Sequence, residues 1–204
     1  MPRIDDYLQA KQIAVDSLRQ TQIDELRQRA GFEPGDSNSI MVPFLDRKYK
    51  IESPSFTFTD TENESKEVPI QEQVLILHYL KAPAFPQPTG QWVSYREIPG
   101  ATFYYSAFLG RAVNPLKKVF GQNIQGFEKA AQKLQGKRIS TGDSSFEFYL
   151  FPKVPIRITI WEGDEDFSAE ANIVFDETVG QILSAEDIAW LAGMLVYRLM
   201  ALSH

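Results

Sequence analysis

Apolar residues recur at helical spacing near the start of the chain, where Leu8, Val15, Leu18 and Leu26 fall among Lys11, Arg19, Arg27 and Arg29. That pattern predicts a helix from about Arg3 to Ala30, stopped by Gly31. The period then shortens. Ser39–Phe44, Tyr49–Glu52 and Ser55–Thr59 read as strands, with Leu45-Asp46-Arg47-Lys48 turning the first into the second and Phe56 and Phe58 on one face of the third. Asp60 to Glu67 is polar and acidic and reads as a loop. From Pro69 to Lys81 helical spacing returns. Ile70, Val74, Leu77 and Leu80 form one face and Leu75 and Ile76 widen it, which predicts a helix buried on most sides.

Ala82 to Gly90 contains Pro83, Pro86 and Pro88 and reads as an extended connector. Ser94-Tyr95-Arg96-Glu97 has the form of a capping box, ended at once by Ile98-Pro99-Gly100. Helical signals run from Thr102 to Gly136, with Asn114-Pro115 as a cap and first helical position, Gly121 as a stop and Asn123 as a new start. Two alternating runs follow. Phe146, Phe148 and Leu150 oppose Glu147, Tyr149 and Phe151, and Ile156, Ile158 and Ile160 oppose Arg157, Thr159 and Trp161. A third strand is expected from Ala169 to Phe175, and Ser184-Ala185-Glu186-Asp187 caps a last helix reaching about Leu202. The expected class is α+β, a single domain with a mainly antiparallel sheet built from two three-strand groups and packed with several helices. Residues 1–36 supply the N-terminal helix and a link, in one compact unit with 37–204.

Composition narrows the function. The 204 residues contain no Cys, which excludes disulfides, cysteine-ligated zinc, cysteine-held iron–sulfur clusters and a cysteine nucleophile. A formal net charge of −6 argues against a nucleic-acid partner. No run approaches the roughly 18–20 apolar residues of a membrane span, and the first residues carry charge in place of a signal peptide, so no membrane association and a cytoplasmic protein are expected.

Charge distribution says more than its total. Between Arg157 and Arg198 there is no Lys or Arg, while nine acids fall there, so one end should favour a cation or a basic protein partner. The densest part, Trp161-Glu162-Gly163-Asp164-Glu165-Asp166-Phe167, lies between two expected strands. It reads either as a solvated turn or as an oxygen-ligand site for Mg²⁺, Mn²⁺ or Ca²⁺. Three further positions carry chemistry. His78 is the one histidine away from the C-terminus: a structural residue, or a ligand or proton-transfer group. Arg96 is unexplained by the capping box it shares with Glu97 and could clamp an anion or pair with Asp143. Thr141-Gly142-Asp143 has the chemistry of a turn.

Several strings occur in order: Gln73 to Leu80, Trp92 to Gly100, Gly142-Asp143, Phe151-Pro152, Trp161 to Phe167, Phe175-Asp176 and Glu186 to Ala189. Together they resemble a prokaryotic family known as domain of unknown function number 3786, over roughly Ser37 to Leu202. The family's acidic string ends Gly-Asp-Glu-Glu-Phe, so Asp166 is a conservative departure. The resemblance implies no particular reaction, and whether the protein is an enzyme stays open. It places the family pattern on His78, Arg96, Glu97, Asp143, Trp161, Asp164, Glu165 and Asp176, with Asp164, Glu165 and Asp176 as the trio for a divalent cation. The expected function is an accessory protein binding an unidentified small molecule or divalent metal. The alternatives are an interaction module with an acidic docking face, and an enzyme using His78 or a carboxylate as general acid or base. A shared site requires His78, Arg96, Asp164 and Asp176 to converge in one cleft.

Overall fold

A computed structural model describes residues 4–33, 36 and 38–203. The chain divides into two compact units, one formed by 1–86 with 151–153 and 181–183, the other by 87–150, 154–180 and 184–204. Both combine helices with an antiparallel sheet, so the class is α+β. The two strand groups form separate sheets, of three and five strands.

In the first unit the expected N-terminal helix is two helices, α1 (Ile4–Leu18) and α2 (Ile23–Ala30); Arg3, where it was expected to start, lies outside the described residues. The break falls in the polar run Arg19 to Gln22. With no apolar side chain there to bury, the Thr21 N–H turns back to Leu18 O at 3.0 Å and Gln22 is extended. α1 buries Ala14, Val15 and Leu18, but Leu8 is 52% exposed, contrary to its place in the apolar stripe. Gly31 ends α2 in the left-handed conformation, with φ 77°, and its N–H bonds Arg27 O.

Strands β1 (Ser39–Phe44), β2 (Arg47–Glu52) and β3 (Thr57–Asp60) form a meander. Its register sets Ile40 opposite Ile51 and Val42 opposite Tyr49, so these side chains share the buried face. Helix α3 (Ile70–Leu80) is buried nearly all round, as its pattern predicts. Its Tyr79 ring stacks on Phe151 at 4.3 Å and meets Phe32 and Phe85 edge-on, while its hydroxyl donates to Ala30 O at 2.7 Å.

In the second unit the strand order is β4-β8-β7-β6-β5, from β4 (Trp92–Ser94), β5 (Lys137–Arg138), β6 (Ser144–Phe151), β7 (Val154–Trp161) and β8 (Glu170–Asp176). The edge strands β4 and β5 are too short to show alternation and escape the sequence pattern. Helix α4 (Ala101–Phe108) continues through a π turn, Leu109–Val113, into α5 (Asn114–Phe120). Asn114-Pro115 therefore does not start a separate helix. α6 (Ile124–Lys133) does start at Asn123, whose side chain accepts from the Gly126 N–H. After the single turn α7 (Val179–Ile182), Ser184 caps α8 (Ala185–Leu202). Gly193 lets α8 approach the π turn, since a Cβ there would stand 3.3 Å from Arg111 Cβ. Helices meet the sheet through aromatic contacts: Phe108 on Phe175 at 6.1 Å and Phe127 on Phe146 at 5.5 Å. Among the described residues, no helix is long and apolar enough to cross a membrane.

The Tyr79 stack gives a direct test of the first unit's core. Tyr79→Phe removes the buried donor to Ala30 and should lower stability by about 1 kcal/mol in urea unfolding. Tyr79→Ala also leaves a cavity and should lower it by about 3–5 kcal/mol. Equal stability of both variants and the parent would show that this stack is not a core contact.

Candidate functional site

Alternation fixes the two faces of the five-stranded sheet. Phe146, Phe148, Ile156, Ile158, Ile160, Ile173 and Phe175 are buried on the helix side. The register aligns the other face strand by strand: Trp92 beside Asp176, Ser94 beside Val174, Val174 beside Arg157, Asn172 beside Thr159, and Glu147 beside Lys137. This outer face carries polar and aromatic side chains. Tyr149 is 60% exposed and Trp161 39% exposed on it.

Arg157 is the centre of that face. Its guanidinium lies over the Trp92 ring, 3.9 Å from the centroid, and its Nε donates to Glu147 Oε2 at 2.8 Å. The stack and the ion pair fix the plane of the group from two sides. The N–H groups on its two terminal nitrogens have no hydrogen-bond partner among the described residues, and the side chain is partly exposed. Beside it, the Ser145 hydroxyl bonds Ile158 O at 2.8 Å and the Thr159 hydroxyl at 2.7 Å. Partial burial, then the negative charges of Glu147 and Asp176, raise the Tyr149 pKa, and Arg157 opposes them, so the phenol remains a donor at neutral pH.

Asp176, expected as a ligand-binding or metal-binding residue, closes the end of this face. It is 1% exposed. Its Oδ2 accepts from the Gly90 N–H at 2.7 Å, and its Oδ1 from the Thr178 hydroxyl at 2.7 Å and the Thr178 N–H at 3.1 Å. Burial acts to raise its pKa, but the Thr178 hydroxyl and the N–H groups of Thr178, Gly90 and Thr89 outweigh it and keep the carboxyl below its ordinary range.

The other expected residues are engaged separately. Arg96 is exposed, with its guanidinium 4.0 Å from the centroid of the Tyr105 ring. Glu97 completes the expected capping box, and the Ser94 hydroxyl and N–H pull its pKa down. The Arg96–Asp143 pair, one of the alternatives for Arg96, is not formed among the described residues, and Asp143 Oδ2 accepts from the Glu162 N–H at 2.7 Å. Asp164 Oδ1 accepts from the N–H groups of Asp166 and Phe167 at 2.9 and 2.7 Å. Glu165 is exposed.

The acidic turn is thus braced from several directions. Gly163 donates to Gly121 O at 3.0 Å, and Lys117 pairs with Glu170 at 2.9 Å. Gly142, at φ 61°, fits beneath Thr159 and Trp161 where a Cβ would stand 2.6 Å from Thr159 Cγ2. Phe167 remains 74% exposed at its tip. Among the described residues no three His, Cys, Asp or Glu gather as a metal site requires, so Asp164, Glu165 and Asp176 are not brought together as a trio. His78 is half-buried on α3 of the first unit, while the other expected residues belong to the second.

Trp92, Glu147, Tyr149 and Arg157 were not singled out from sequence as site residues. The signal was present in the alternation, which puts Glu147 and Tyr149 on one face of β6 and Arg157 on one face of β7. Both carboxyls with a resolved shift, Glu97 and Asp176, move down. Neither is prepared to donate a proton at neutral pH.

A family profile described as Domain of unknown function (DUF3786) matches residues 22–198. No curated protein and no solved structure matches the chain.

Asp176 makes a pH-dependent contribution whose sign follows from its lowered pKa. Its stabilisation is complete above the unfolded carboxyl value near 3.9 and is lost as pH falls through the lower folded value. Asp176→Asn should lower stability by about 1–3 kcal/mol at pH 7, and the gap to the parent should narrow below pH 4. Urea unfolding between pH 7 and pH 2.5 measures this; a gap independent of pH would remove the ionised carboxylate from the account.

Proposed function

The chain thus belongs to the DUF3786 family, and on that premise, which carries no activity, we propose that it is a ligand-binding accessory protein. Its ligand is a small molecule bearing a carboxylate, received on the outer face of the five-stranded sheet. One observation carries this reading: the Arg157 guanidinium is fixed by Trp92 and Glu147 while its terminal N–H groups stay unpartnered. A planar fork of that kind matches the two oxygens of a carboxylate. Trp92 and Tyr149 add aromatic surface beside it, as small-molecule sites usually combine apolar walls with a few placed polar groups. A divalent metal as the occupant has less support, since two of the three expected carboxylates, Asp164 and Asp176, already accept from backbone N–H groups. A cytoplasmic setting belongs to the same proposal.

A second reading, docking of a basic protein partner, draws on the exposed Phe167 in a turn that also exposes Glu162, Glu165 and Asp166. Such binding would weaken steeply with salt.

The test is a thermal-shift and tryptophan-fluorescence titration with benzoate, 4-hydroxybenzoate, phenylacetate and succinate. A ligand present at about 100 times its Kd adds roughly 2.7 kcal/mol, which for a chain of this size raises Tm by about 5–10 °C. The shift should vanish in Arg157→Gln and weaken in Arg157→Lys, with the far-UV spectrum unchanged. No shift with any of these carboxylates, or an equal shift in Arg157→Gln, would contradict the proposal.

A further inference from the structure

The first unit contains an open groove of about 310 Å³, between α1, the segment leading into β3, and the loop before α3. Lys11, Ser55, Thr57, Phe58, Glu67 and Gln73 are among the residues lining it. None of these was singled out as a site residue from the sequence, and none belongs to the Arg157 face.

Gln73 is the unusual member. It is 7% exposed, and its Nε2 donates to Val68 O at 2.7 Å, which fixes the orientation of the amide. Its Oε1 has no hydrogen-bond partner. A buried acceptor left without a donor is destabilising and is rare in folded proteins. Lys11 is the second. Its half-buried ammonium stands 5.9 Å from the centroid of the Phe58 ring and has no ion-pair or hydrogen-bond partner among the described residues. Burial pushes its pKa down, and the charge of Glu67 works against that shift. Ser55 and Thr57 complete the wall with hydroxyls 2.9 Å apart.

The groove is therefore lined by a cation with no counter-ion in contact among the described residues, a glutamine whose buried oxygen lacks a donor, and a carboxylate close enough to act on the cation. A molecule that completes all three needs a carboxylate for Lys11 and a cationic N–H donor for Gln73 Oε1 and the field of Glu67. We propose that this groove binds a free α-amino acid, with its carboxylate on Lys11, its ammonium group at Gln73 and Glu67, and its side chain against Phe58. A carboxylic acid without the amine leaves Gln73 unpartnered. An amine without the acid is repelled by Lys11. Both should bind far more weakly than the intact amino acid.

The experiment is a titration of the ¹⁵N-labelled full chain with each of the twenty common amino acids, followed through backbone amide shifts. At least one should move the amides of residues 55–58, 64–68 and 73 in a saturable manner. The matching deaminated acid and decarboxylated amine should each bind at least tenfold more weakly. Lys11→Gln should weaken binding tenfold or more with the remaining spectrum unchanged, and Ser55→Ala serves as a second, exposed variant expected to weaken it less. The Arg157→Gln chain should bind the same amino acid with unchanged Kd, which separates this site from the outer sheet face. The proposal is overturned if no amino acid moves these amides, if the acid or amine alone binds as well, or if Lys11→Gln leaves Kd unchanged.

Discussion

The pleat of β6 and β7 is the constraint on which the second unit depends. Successive side chains must point to opposite faces, so burying Phe146, Phe148, Ile156 and Ile158 against the helices forces Glu147, Tyr149 and Arg157 to the other side. A slip of one residue would bring an arginine and a glutamate into the aromatic core. The apolar half of the pattern therefore fixes the polar half. The guanidinium of Arg157 gains its stack on Trp92 only because β8 lies between β4 and β7.

The carboxylates expected as site residues, with their neighbours on the acidic turn, fall into two groups. Asp143, Asp164, Asp176 and Glu97 accept from backbone N–H groups and hold turns, a strand end and a short helical turn in place. Glu162, Glu165 and Asp166 stay exposed on the turn so formed. Density of acids along the chain therefore overstated the chemistry available there. Lone pairs of Asp164 and Asp176 that a metal would need are directed at the protein's own backbone.

Much of the fold was legible in the sequence for local reasons. α3, the alternating pair β6 and β7, the Asn123 and Ser184 caps and the Ser94–Glu97 capping box all follow from residues within a few positions of one another. β4 and β5 did not, since two or three residues carry no period and their place is set by distant partners in the sheet. The break between α1 and α2 was masked by apolar residues that continue in phase on both sides of Arg19–Gln22. The site was legible only in part. Faces of strands can be read from alternation, but the meeting of Trp92, Glu147 and Arg157 requires the strand order, which no local pattern encodes. Gln73 was hidden for the same reason: it sits in an apolar helix, and its unpartnered oxygen is visible only when the loop before α3 is in place.

The central claim is that Arg157 and Glu147 serve recognition and are not needed to hold the sheet together. The most direct measurement is the stability of the double variant Glu147→Met/Arg157→Met, set beside Arg157→Met alone. A shielded ion pair retained for binding can be replaced by apolar side chains of similar length at little loss or with some gain, whereas removing one partner strands the other. The account predicts a double variant at least as stable as the parent, a less stable single variant, and no Tm shift with the carboxylates in either. A double variant several kcal/mol less stable than the parent, or one that still responds to the carboxylates, would contradict it.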